Sequence, residues 1–320
     1  MVSCTFHADA DALRSGQQNH SSSIDSIKVM GILGWALLLI AIALAQPRPC
    51  FGESQLANFA KKKRFAVAAV GAVTILARLA LLPWLHVPQP KVHDEFSYLL
   101  AGDTFAHMRL ANPAHPLWIF FDTFHVIQHP TYASMYPPAQ GMALAIGKLL
   151  GQPWTGVLLS VAAMCMAFTW MLQGWMPPEW ALLGGVLVWA RFGVFSYWMN
   201  SFWGGAVAAT GAALVLGALP RIWDHQRPRD AIVFGLGASI LAVSRPVEGT
   251  IFFIPLGVAL FWWVLRLDVP TRGATIRRIV LPLVAILACA AGFIGYYNWR
   301  VTGSPVVFPH FIEEQKIGLL

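Results

Sequence analysis

Charge is what this 320-residue chain has least of. Asp, Glu, Lys and Arg together make up 12% of it, where a soluble domain carries roughly 25%. Acid is scarcer than base, 15 residues against 22, which leaves a formal charge of +7. With 57% hydrophobic residues and a mean hydropathy of +0.59, too little polar surface remains to wet a globule, which excludes a soluble enzyme. The basic balance does not indicate nucleic acid either. Such binding needs a basic face with base-reading or stacking groups, and here the basic residues punctuate long apolar runs. Cysteine is nearly absent. Cys4 and Cys50 stand alone, and Cys165 and Cys289 lie in apolar runs, where a thiol behaves as a small hydrophobe. Without a C-x-x-C spacing there is no case for a zinc or redox motif, or for a disulfide framework. The class that remains is an all-α, polytopic membrane protein.

A membrane-crossing helix needs about 20 mostly apolar residues, because hydrocarbon offers its backbone no hydrogen-bond partners. Stretches of this kind are 29–45, 65–86, 155–175, 180–199, 203–219, 231–244, 250–265 and 279–299. The first is preceded only by Lys28 and lacks a small-residue cleavage site after it, so it reads as an extra anchor helix rather than a signal peptide. The polar residues 1–28 before it are rich in Ser, Asp and Gln and are expected to be disordered. Orientation follows from the basic connections. Arg48 with Lys61–Arg64, Arg221 with Arg227 and Arg229, and Arg266 with Arg272, Arg277 and Arg278 are all expected on the cytoplasmic side. The 87–136 loop holds only Lys91 and Arg109 as strong bases and is expected to face outward. Treating 138–151 as an interfacial helix keeps that parity consistent. The chain thus divides into a polar tail (1–28), an anchor helix with its basic loop (29–64) and a membrane domain (65–320) in a multi-pass cell (inner) membrane protein.

The outer loop concentrates chemistry. It holds Asp94, Glu95, Asp103 and Asp122, and five of the ten histidines: His93, His107, His115, His125 and His129. Asp94-Glu95 precedes a helical pattern in which Phe96, Leu99, Leu100 and Phe105 share a broad apolar face, predicting an amphipathic interfacial helix. On the dipeptide alone, Asp94 reads as a helix cap. A carboxylate pair on a fifty-residue surface loop also reads as catalytic. His125 and His129 have the H-x-x-x-H spacing of a metal pair, but Val126 stands where a zinc protease has its Glu, Pro130 follows at once, and no third ligand is spaced to help. No metal is expected. Arg245 interrupts two apolar runs, and an arginine near hydrocarbon is costly unless paired or facing a polar cavity. Either it closes an outer turn with Glu248, or its planar fork is aimed at a phosphate. Asn200, among aromatics of the 197–203 turn, is a candidate sugar contact, with an aromatic belt as the plainer reading.

In order, the stretches HDEFSYLLAGDTFA (93–106), SMYPPAQG (134–141), FSYWMNSFWGG (195–205), SRPVEG (244–249) and YNWRVTGSP (297–305) resemble the GT-C superfamily of membrane glycosyltransferases. The likeness is to glycosyltransferase family 39, which includes protein O-mannosyltransferases and the lipid A aminoarabinose transferases, and it runs from about residue 65 to the C-terminus. The resemblance implies transfer of a sugar from a polyprenyl-phosphate donor to a lipid, glycan or protein acceptor on the outer face, with inversion and without a cofactor. It implies a first-loop base, which maps to Asp94 with Glu95 beside it. Arg245 with Glu248, Tyr136 and Asn200 are the candidate donor and phosphate contacts. Where aminoarabinose transferases carry a Lys before Pro-Pro, this chain has Tyr136, and family members usually continue through more spans, so the chain is expected to be a fragment or a reduced version. Two other classes stay open: a transporter or flippase of lipid-linked sugars, to which Arg78 and Arg191 inside proposed spans would be suited, and a non-catalytic membrane relative.

Overall fold

The computed structural model of the chain describes residues 53–317. The polar tail and the anchor helix expected at 29–45 lie outside these residues. The described part is mostly helical. Its helices are α1 (Glu53–Lys61), α2 (Lys63–Ala80), α3 (His93–Ala106), α4 (Pro138–Leu149), α5 (Pro153–Trp175), α6 (Pro178–Val188), α7 (Gly205–His225), α8 (Pro228–Ser244), α9 (Pro246–Arg266), α10 (Val269–Thr302) and α11 (Pro309–Ile317). Proline in the first turn opens α4, α5, α6, α8 and α9, where its fixed φ suits the helix and its missing N–H leaves no bond unmade. Gly303 takes up the left-handed conformation that ends α10 (φ 83°).

Among the described residues, four helices are long and apolar enough to cross a membrane: α5, α7, α9 and α10. Other expected spans are shorter than the hydropathy pattern suggests. α2 stops at Ala80 rather than near His86, and α6 is an 11-residue helix that runs into a π turn at Trp189–Gly193 before the chain bends through 194–204. The span expected at 231–244 is instead longer, since α8 has 17 residues, about 26 Å of helix. α10 extends through Arg272, Arg277 and Arg278, so the third basic connection is largely helix. A helix continues through charged residues wherever their long side chains reach water.

The 87–136 loop also departs from an all-helical reading. Beyond α3 it builds a small antiparallel sheet in the order β1-β3-β2, with β1 (Asn112–Pro113), β2 (Val126–Ile127) and β3 (Thr131–Ser134). Asn112 pairs with Tyr132, and Ile127 with Ala133. A 3₁₀ turn spans Trp118–Phe121. α3 turns its small and polar side into the protein. Glu95, Ser97, Tyr98, Ala101, Gly102 and Thr104 are buried, while Phe96 is over half exposed. The reason is the crossing with α4: a Cβ added at Gly141 would lie 2.6 Å from Cβ of Ala101, so small residues, not large apolar ones, let the two backbones meet.

One apolar core joins α2, α3, α5 and the 194–203 turn through Val70, Tyr98, Trp154, Val157, Val161 and Met199. A second joins α7, α8 and α10 through Val215, Ile222, Phe234, Leu241 and Ile279. A third, small one lies between the sheet and the end of α10: Ile127, Ala133, Tyr297 and Val301.

Candidate functional site

Asp94 sits in the first turn of α3 with its carboxylate at the surface, the side chain about one-fifth exposed. The Tyr136 hydroxyl donates a short hydrogen bond to its Oδ1, and Nε2 of His125 lies 3.8 Å from the same oxygen. Two serines assemble this trio. Ser97 Oγ, one turn along α3 from Asp94, donates to the His125 carbonyl (2.6 Å) and pairs with Ser134 Oγ (2.7 Å). Ser134 Oγ in turn accepts the Tyr136 N–H (3.1 Å). His125 adopts a positive φ of 65°, uncommon for a residue with a side chain. It is pinned there by donating its N–H to Oε1 of Glu313 in α11 (3.1 Å). Helix, sheet and C-terminal helix therefore converge on one carboxylate.

Beneath Asp94, the Tyr136 ring stacks on Tyr98 with centroids 4.4 Å apart, and Tyr98 lies tilted against Trp203. Burial, then the hydrogen bond to and the charge of Asp94, hold the Tyr136 phenol well above its ordinary range, partly offset by the cation of Arg245. Burial likewise pushes Tyr98 up to about 12; Arg245 opposes that shift, and Asp94 and Glu248 add to it. Asp94 and Arg245 thus act electrostatically on both tyrosines, and Glu248 on Tyr98. Arg245 forms the single-residue break between α8 and α9 (φ −142°, ψ 74°). Its guanidinium meets Glu248 Oε1 at 3.3 Å with both side chains largely exposed, a contact worth little in water and easily exchanged for another anion.

The raised tyrosines carry a prediction. Their folded pKa lies above the unfolded value near 10, so the stability they contribute is complete below about pH 10 and is lost as pH rises through about 12. An ultraviolet titration of the six tyrosines should show an ordinary class ionising first. Tyr98 and Tyr136 should ionise only in a late step that coincides with loss of helical circular dichroism. A single ordinary step would show that the stacked pair is not buried as described.

Two expected site residues have other occupations. Glu95, expected beside Asp94 as a second catalytic carboxylate, is buried. Its Oε2 accepts the N–H groups of Lys91 (2.7 Å) and Val92 (3.3 Å), and its Oε1 that of Phe202 (3.0 Å). It caps α3 and clamps the 196–203 turn, with no oxygen left open to a substrate. Asn200, expected as a sugar contact, accepts from Arg78 Nη2 (3.1 Å) and donates to the carbonyls of Val194 and Ser196. Its amide is fully committed. Arg78 itself is completely buried, gives its remaining bonds to the carbonyls of Leu85 and His86 and lies 4.6 Å over the Trp154 ring. It ties the end of α2 to the 194–204 turn. His125 and His129 also diverge: the first faces Asp94, and the second stacks on Trp118 at 5.4 Å.

Sequence reasoning weighed His125 only as a metal ligand and missed Ser97, Ser134 and Tyr98. The signal available for them was weak: a histidine and two serines in a polar loop, related only through a two-residue strand pairing. Comparison with protein-family models, with curated proteins and with solved structures finds no match.

Proposed function

We propose that this chain is a multi-pass membrane glycosyltransferase that moves a sugar from a polyprenyl-phosphate donor onto an acceptor hydroxyl at the outer face of the cell membrane. In this reading α2, α6 and α8 complete a bundle with the four longer helices. The 87–136 loop and the α4 helix lie on the outer surface, and the basic connections face the cytoplasm. The single observation that carries the proposal is the Asp94 carboxylate held by the Tyr136 hydroxyl, with the Arg245 cation near enough to oppose the rise of the Tyr136 phenol. A base for an acceptor thus lies within electrostatic reach of a cation for a leaving phosphate. The ordered motifs that resemble family 39 glycosyltransferases add support.

The chemistry follows from the two groups. Asp94 takes the proton of the acceptor hydroxyl as its oxygen attacks the anomeric carbon from the side opposite the phosphate. The bond from that carbon to the phosphate oxygen breaks, its electron pair stays on the phosphate, and the sugar inverts. Arg245 exchanges its exposed contact with Glu248 for the departing phosphate, whose charge rises in the transition state. Tyr136, donating to Asp94, fixes the carboxylate's orientation and leaves the other oxygen for the acceptor. Glu95 serves as a positioning residue, since it ties the start of α3 to the 196–203 turn.

Arg245→Ala is therefore expected to lower the transfer rate by about 10²–10³-fold, the range for removing a transition-state charge donor. Arg245→Lys should fall between, because an ammonium keeps the charge but loses the planar fork. The measurement is transfer from labelled polyprenyl-phosphate sugars in proteoliposomes. A full rate in Arg245→Ala would remove the phosphate contact from the proposal.

A further inference from the structure

The outer loop carries an apolar finger that the site does not use. Between Arg109 and Asp122 there is no Asp, Glu, Lys or Arg. At its tip, Phe120 is 81% and Ile119 67% exposed, and Leu117, Phe121 and Phe124 are each more than half exposed. The finger is held in this display. Gln128 Nε2 donates to the Phe121 carbonyl (2.8 Å), the Leu117 N–H donates to His115 Nδ1 (3.1 Å), and Trp118 stacks on His129. A contiguous exposed apolar patch fixed outward by its own hydrogen bonds marks an interaction surface.

Its height along the molecule identifies the partner. Two residues beyond His129, Thr131 Oγ1 donates to the carbonyl of Val301 (2.7 Å), which bolts the sheet to the last turn of α10. That turn exposes Trp299 and, just before it, Tyr296. Aromatic residues at the end of a membrane-crossing helix sit at the membrane–water boundary, and α10 is among the helices long and apolar enough to cross. The finger therefore hangs at the level of the lipid surface. We infer that residues 117–121 insert into the outer leaflet, as an interfacial anchor does, and that the partner of this surface is the lipid itself. The root of the finger borders the site: the Phe124 ring lies edge-on to His93 at 5.7 Å, next to Asp94. Insertion thus sets Asp94 at headgroup depth, where the phosphate of a lipid-linked donor lies; this last step rests on the proposed function.

The test uses the full chain with Cys4, Cys50 and Cys289 replaced by Ala and the buried Cys165 kept. A spin label is placed at Phe120→Cys or Ile119→Cys, and the protein is reconstituted in nanodiscs of phosphatidylcholine and phosphatidylglycerol. Collisions with oxygen, which concentrates in hydrocarbon, are compared with those of a water-soluble nickel chelate. Labels at 119 and 120 should be several-fold more accessible to oxygen than to the chelate, at a depth of about 5–10 Å, while a label at Arg109→Cys reads as aqueous. Aqueous readings at both 119 and 120, or dipolar broadening between labels on two copies, would overturn the inference. None of these readings involves sugar transfer, so a finger found in water leaves the chemistry of Asp94 to be judged on its own.

Discussion

If the proposed function holds, Asp94→Asn is expected to abolish sugar transfer while leaving the protein folded. The loss expected is about 10²–10⁴-fold, the contribution of a positioned general base. Folding is spared because an asparagine side-chain oxygen still accepts the Tyr136 hydroxyl proton, and because the bonds that shape the start of α3 come from Glu95 rather than Asp94. Circular dichroism and thermal unfolding of the variant should overlay those of the parent, and only the transfer assay should move. A variant that transfers sugar at the parent rate would remove the base from the mechanism. One that unfolds would reduce Asp94 to a helix cap.

Its neighbour gives the opposite result. Glu95→Ala is expected to damage stability first and activity only as a consequence. The buried carboxylate satisfies three backbone N–H groups, one of them 107 residues away on the 196–203 turn. Each donor left stranded costs about 1–3 kcal/mol. The variant should show a clearly lowered unfolding temperature and poor yield, and it should become more susceptible to proteolysis between 194 and 204. Glu95→Gln should recover only part of this, since an amide offers one acceptor oxygen where the carboxylate uses two. Adjacent acidic residues thus separate into a chemical and an architectural role, and the pair of measurements reads both. If Glu95→Ala folds normally and loses transfer, the roles assigned here are reversed.

The contrast shows what the amino-acid pattern made legible. Asp94 and Glu95 could be placed in the first turn of a helix from the prolines before them and the spacing after them, but not told apart. Which carboxylate faces inward depends on the 196–203 turn, and that turn arrives from beyond α6. The short helix at 138–151 was readable from its length and from the parity of the basic connections; α4 ends at Leu149, two residues before the expected limit. The strands were invisible, since two to four residues cannot establish an alternating pattern. Asn200 looked available because its partner, Arg78, is 122 residues upstream. His125 looked like half of a weak metal pair because its backbone conformation and its bond to Glu313 are products of tertiary packing. α6 looked like a full span because hydropathy registers composition and is blind to a π turn.

The most direct measurement of the central claim avoids the identity of the sugar. In the proposed reaction polyprenyl monophosphate is the leaving group whichever sugar is transferred, so its binding to the purified chain in nanodiscs can be followed by native mass spectrometry. The account predicts that the parent and Asp94→Asn bind it alike and that Arg245→Ala loses most of the binding. Equal binding by the parent and Arg245→Ala, or loss in Asp94→Asn alone, would contradict a site in which one residue holds the phosphate and the other takes the proton.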